Sequence, residues 1–295
     1  MVRIFTIIIA TIRRAYDAIK RLVRTLSEPF LATLTWIAAA ITIGMLMFII
    51  GFILVKGVPY IKPSLFSLTY NSDNVSLMPA MISTVIMTLL SLLIAAPLGI
   101  FSAIFLVEYA KRGNKIVGII RMTTETLSGI PSIVYGLFGM LFFVTFLGWG
   151  FSILAGAFTL AIMILPLIMR SSEEALKAVP DTYREGSFGL GAGKLRTVFR
   201  IILPSAMPGI LAGVILSVGR IVGETAALIY TAGTVAQIPT DPMQSARTLS
   251  VHMYALSSEG LHTNEGYATA VILLLVVVLI NTISAKIAKR IGGTA

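Results

Sequence analysis

Residues 171–209 read SSEEALKAVPDTYREGSFGLGAGKLRTVFRIILPSAMPG, a charged interruption between two long apolar stretches. Pro180 suits the first turn of a helix, with Asp181 beside it at the positive end of the dipole, and Tyr183, Phe188 and Leu190 supply apolar side chains. Gly189, Gly191 and Gly193 are expected to end that helix and permit a sharp turn. A second helix should run from Lys194 to Leu203, with Pro204 beginning the next element. The segment reads as a short helix, a glycine turn and a second helix, holding out an apolar knob of the kind found on partner surfaces.

Outward from this loop the chain is too apolar for water. Of its 295 residues 57% are hydrophobic and only 12% charged, with a mean hydropathy of +0.93. A soluble domain carries roughly 25% charged residues, so the composition excludes disorder, collagen and a soluble nucleic-acid-binding domain. A membrane span needs about 17 to 25 apolar residues. Five runs free of Asp, Glu, Lys and Arg qualify: 30–55, 80–107, 130–147, 151–169 and 267–285. A sixth, 208–231, is long enough but carries Arg220 and Glu224. Residues 1–29 alternate Arg and Lys with apolar residues at helical spacing and read as an amphipathic interfacial segment, with no cleavable signal expected. Residues 30–295 then form the membrane-spanning domain, with the loop 170–204 projecting from it.

Charge placement gives an orientation. The net charge of +10 comes from 23 Lys and Arg against 13 Asp and Glu. Nineteen of the basic residues fall in the N-terminal segment, the C-terminus and the loops after spans two and four, and three (Lys56, Lys62 and Arg247) fall on the other side. Both termini are therefore expected in the cytoplasm, and the positive charge is a topology signal. The 35 residues of 170–204 are too few for an ATPase domain and contain no phosphate-binding loop, so any driving energy comes from another subunit. With no cysteine and with only His252 and His262, both in an outer loop and expected to be solvated, no catalytic or metal constellation is visible.

Arg220 lies near the middle of its span, with Glu224 one helical turn further on and on the same face. Each such charge costs about 2.5 to 3.5 kcal/mol at a bilayer centre, so both must face protein or water. Two readings stand. The pair forms a salt bridge that staples helices, or Arg220 binds and gates an anion while Glu224 balances it when the path is empty. A guanidinium suits a tetrahedral oxyanion because its planar fork donates two parallel hydrogen bonds. Gly209, Gly213 and Ser217, with Gly219 and Gly223, give the same helix two small-residue stripes for close packing. Arg170 with Glu173 or Glu174 forms a second charged group, read as an interfacial pair. At the start of span three, Pro131 in the first turn of a helix marks either a membrane-entry kink or a place where free amides and Ser132 face an anion path.

Glu185-Gly186-Ser187, three residues, Gly191, nine residues and Ile201-x-Leu203-Pro204 resemble the E-A-A-x(3)-G-x(9)-I-x-L-P motif of type I ABC importer permeases, with Gly186 and Ser187 in place of two alanines. The segment 219–226, GRIVGETA, is similar to R-I-A-G-E-T-A of PstA-type phosphate permeases, and 131–138, PSIVYGLF, is similar to their P-S-I-V-x-G-L-F. The resemblance runs from about residue 80 to 285. It implies an all-α membrane protein with six transmembrane helices and a MetI-like core in a prokaryotic plasma membrane. This would be a non-catalytic subunit of a phosphate importer that binds no cofactor itself. The implied partners are a PstC-like permease, an ATP-hydrolysing subunit dimer and an external phosphate-binding protein. Tyr183, Glu185, Gly186, Ser187, Phe188, Gly191, Leu203 and Pro204 would couple the 181–204 loop to the ATPase, and Arg220, Glu224 and Ser132 would line or gate the path. A permease for sulfate, molybdate or phosphonate, or a subunit acting mainly in phosphate signalling, is the alternative.

Overall fold

A computed structural model describes residues 31–111 and 113–292, so the amphipathic segment expected over 1–29 lies outside the described residues. Every element among them is helical. The chain divides into two units, Met1–Val55 and Lys56–Ala295, each taken by itself. In the first, residues 31–55 are continuous helix, the start of α1 (Leu31–Tyr60), with Thr35 and Thr42 returning their hydroxyls to carbonyls four residues back.

The second unit holds α2 (Met78–Tyr109), α3 (Lys115–Ser128), α4 (Ser132–Phe146), α5 (Ile153–Ala178), α6 (Asp181–Gly189), α7 (Lys194–Val222), α8 (Ala226–Ile229), α9 (Leu249–Glu259) and α10 (Thr263–Gly292). Five helices, α1, α2, α5, α7 and α10, are long and apolar enough to cross a membrane, and a sixth span counts if α3 and α4 are one bent pair. That pair turns by 101° between Ser128 and Ser132, so the third span is α4 preceded by a helix lying across it. Pro131 stands just ahead of α4, in extended conformation, and Gly129 closes α3.

The centre of the unit is α5 against α2 and α7, with Met87, Leu160, Met163, Ile164 and Ile168 buried. Lipid is as apolar as these side chains, so close approach rather than escape from water must hold the helices together. A side chain at Gly213 would run into Ser171, and one at Gly209 into Ala175, so the first small stripe of α7 is its seam with α5. The second stripe is not: Gly219 has open space around it and Gly223 meets only its own chain. Hydroxyls buried in α2 (Ser83, Thr84, Thr88 and Ser91) satisfy themselves on carbonyls four residues back, the usual solution where water is absent.

Two expectations about α7 need correction. Lys194–Leu203 is not a separate helix, because α7 runs from Lys194 without a break. A π-turn over Val198–Ile202 widens the helix just where Pro204 removes an amide donor. At its other end α7 stops at Val222 with Gly223 as the cap, well short of the expected Thr231.

Candidate functional site

Arg220 sits in the last turn of α7 and lines a cavity of about 590 Å3 between α5, α7 and α10. The rest of the wall is Leu167, Ala212, Ile215, Leu216, Gly219 and Asn281. Arg220 and Asn281 are thus the polar side chains of an otherwise apolar wall, brought together from two helices. The Asn281 Oδ1 is buried without a hydrogen-bond partner. Asn281 was absent from the sequence-based candidates. Its signal was an amide directly after the apolar run Leu273–Ile280.

Glu224 does not pair with Arg220. Because the helix ends at Gly223, the two residues do not share a helical face, and among the described residues no ion pair joins them. The Glu224 carboxylate instead accepts from the Ala227 amide at 3.0 Å, capping the short helix α8, and its main-chain carbonyl accepts from the Ser250 hydroxyl. Among the described residues Arg220 has no acidic partner. Ser132, in the first turn of α4, is half-buried and is not part of that wall.

The outer-loop histidines differ from expectation. His262 is half-exposed near Glu265, whereas His252 is completely buried on α9, with its ring edge-on to that of Tyr70. Desolvation, reinforced by the charge of Arg247, lowers its pKa to about 3. Arg247 is itself only 5% exposed, and its guanidinium lies 4.6 Å over the Tyr70 ring. No sequence pattern marks this packing, because it depends on residues 177 positions apart.

At the opposite end, α6 and the start of α7 form the expected hairpin, and its apolar side chains stand out: Tyr183, Phe188 and Leu190 are exposed, Leu190 by 92%. Only Gly191 among the three turn glycines uses the left-handed region, at φ +80°, while Gly189 is the last residue of α6 and Gly193 caps α7 in extended conformation. Ser187 is buried and shares a hydrogen bond of 2.8 Å with the Thr197 hydroxyl, tying the two arms together. Gly186 has open space where a side chain would go, so smallness there serves no packing within this chain. Glu185 follows Arg184 on α6, and Leu203 and Pro204 lie inside α7 beyond the π-turn.

Arg184 is the anchor that sequence reasoning missed. Its guanidinium binds Glu108 Oε1 through Nη2 at 2.7 Å and Nε at 3.1 Å, and donates to the Leu176 and Val179 carbonyls. Of the two pairings expected for Arg170, the one with Glu174 forms, at 3.1 Å one turn on, and the one with Glu173 does not; Glu173 pairs with Arg121 of α3 and Lys177, each at 2.6 Å.

The family model for a binding-protein-dependent transport system inner membrane component matches residues 95–292. The probable ABC transporter permease protein YqgI of Bacillus subtilis is 33% identical over 276 residues, spanning 86% of this chain and 93% of that protein. The phosphate transport system permease protein PstA of Pasteurella multocida is 32% identical over 275 residues, spanning 88% and 93%. A crystal structure of a bacterial alginate ABC transporter in complex with an alginate-bound periplasmic protein shares the fold, with a TM-score of 0.63 at 17% identity over 95% of this chain and 99% of that one.

Proposed function

The chain belongs to the family of binding-protein-dependent transport system inner membrane components, the permease subunits of ABC importers, and on that premise we propose that its substrate is inorganic phosphate. The observation that carries this reading is the Arg220 guanidinium, free of any acidic partner among the described residues, in an apolar cavity it shares with Asn281. A charge so placed is costly unless an anion visits it. Arg220 would take two oxygens of the phosphate in its fork, and Asn281 would add an amide contact from α10. Glu224 contributes by fixing the chain reversal after α7, which holds Arg220 at the helix end.

By the charge asymmetry the α6 hairpin would lie in the cytoplasm, with both termini on that side and α9 outside, in a prokaryotic plasma membrane. Tyr183, Phe188 and Leu190 would then seat in an ATP-hydrolysing partner, and the Arg184–Glu108 link would pass its movement to α2. A second, PstC-like permease would complete the path, and an external phosphate-binding protein would deliver the substrate. No cofactor is assigned to this chain, because ATP belongs to the partner. The reading is supported by the phosphate permease relatives and by the 219–226 segment. Labelled-phosphate uptake by vesicles holding the whole complex tests it, with Arg220→Gln expected to abolish uptake while the protein still inserts. Equal competition by sulfate and phosphate would contradict the substrate.

A further inference from the structure

Two cavities share Leu106 as a common wall. The larger, about 850 Å3, lies where the end of α2, the start of α3 and the α6–α7 hairpin converge. Its wall carries Lys111, Lys115, Arg121, Lys177, Arg184 and Lys194 against Glu108 and Asp181. Arg184 is answered by Glu108, and Arg121 and Lys177 share Glu173. Lys111, Lys115 and Lys194 have no acidic partner among the described residues, and Lys194 rests over the Tyr109 ring at 5.0 Å.

The smaller cavity, about 430 Å3, is a groove of different chemistry. It is lined by Pro97, Leu98, Phe101, Phe105, Ile120 and Met169, with Ser102 as its polar residue. Leu98, Phe101 and Phe105 are more than half exposed, so the groove opens at the side of the bundle. A cationic chamber beside an apolar groove, with Leu106 in the wall of both, matches an amphiphile with an anionic head and a hydrocarbon tail. Free phosphate would suit the chamber alone and leave the groove unexplained.

We propose that these two cavities hold one anionic phospholipid, its phosphate among Lys111, Lys115 and Lys194 and an acyl chain along α2 between Pro97 and Phe105. The assignment rests on the sidedness of the permease reading, which sets the chamber at the cytoplasmic headgroup level and the groove in the adjoining half of the span. Phe188, Arg184 and Lys194 belong to the hairpin that would meet the ATPase, so the lipid ties that hairpin to α2 and α3. Occupancy would hold the hairpin in place for coupling.

The test uses the complete transporter in nanodiscs of phosphatidylcholine, with or without phosphatidylglycerol, reading lipid retention by native mass spectrometry and ATPase rate in parallel. Each lysine near a lipid phosphate adds about 1 kcal/mol, or about fivefold in affinity. The triple variant Lys111→Gln, Lys115→Gln, Lys194→Gln should hold phosphatidylglycerol at least about tenfold more weakly and lose the ATPase stimulation that this lipid gives the wild type. The corresponding triple Arg variant should keep both, which separates lost charge from misfolding. Equal retention by wild type and triple Gln variant would overturn the proposal. So would an equal loss of retention in the triple Gln and the triple Arg variants. Lipid retention is read without any transported substrate, so an error in the phosphate assignment leaves this result untouched.

Discussion

Arg184 on α6 and Glu108 at the end of α2 are joined at 2.7 Å across 76 residues of sequence, with both side chains largely buried. Removing one partner of such a pair leaves the other charge uncompensated, at a cost of about 3 to 5 kcal/mol. Glu108→Gln should therefore loosen the hairpin from α2, seen as faster hydrogen exchange over 181–197 and weaker ATPase association. Combining it with Arg184→Met should recover much of the loss. If the double variant is as impaired as the sum of the singles, the two residues act independently and the anchor role is wrong.

The two residues that replace alanines in the Glu185 motif should behave differently. Nothing lies near Gly186, so Gly186→Ala gains helix propensity of up to about 1 kcal/mol and should raise the melting temperature of the isolated permease. Ser187→Ala removes the bond to Thr197, whose hydroxyl still reaches the Gly193 carbonyl, so a loss of about 1 kcal/mol is expected. Thermal melting of both variants checks the pair, and a destabilised Gly186→Ala would show that the space is filled.

Packing of α7 on α5 is tested by two alanines. At Gly213 a methyl group meets Ser171, which should cost about 1 to 3 kcal/mol through overpacking, whereas Gly219→Ala meets nothing and should hold or raise the melting temperature through helix propensity. Similar effects at both positions would contradict the seam.

His252 should make the α9 end of the bundle acid-sensitive. In the folded chain its imidazole stays neutral down to about pH 3, while an unfolded histidine takes up a proton near 6.5. Below that value the unfolded chain binds more protons. The stability is therefore complete above about pH 6.5 and is lost as the pH falls toward 3, at up to about 1.4 kcal/mol per unit. Arg247, stacked on Tyr70, is the charged neighbour that opposes protonation. His252→Asn should flatten the fall in melting temperature between pH 7 and 5, and parallel curves for wild type and variant would contradict this.

The spans were legible because a run of some 20 apolar residues has few alternatives: α2 and α10 contain their expected runs, and α5 takes in all but the first two residues of its own. Where reading failed, a helix ended. The i,i+4 logic that coupled Arg220 to Glu224 holds only inside a continuous helix, and Gly223 stops it one residue too early. Pro204 was read as a boundary, yet a π-turn absorbed it. The Glu108–Arg184 link, the burial of His252 and the meeting of Asn281 with Arg220 all join distant segments, which no local periodicity encodes. Glycine and proline mark where the local rules change, but tertiary packing decides what they do there.

On the proposed reading, Arg220 receives phosphate in a cavity where no carboxylate among the described residues neutralises it. The most direct measurement is labelled-phosphate uptake by proteoliposomes carrying the complete transporter, comparing wild type with Arg220→Gln in the presence and absence of excess sulfate. Uptake that is lost in the variant, and that sulfate fails to compete in the wild type, is the expected result. Normal uptake by Arg220→Gln, or full competition by sulfate, would contradict it.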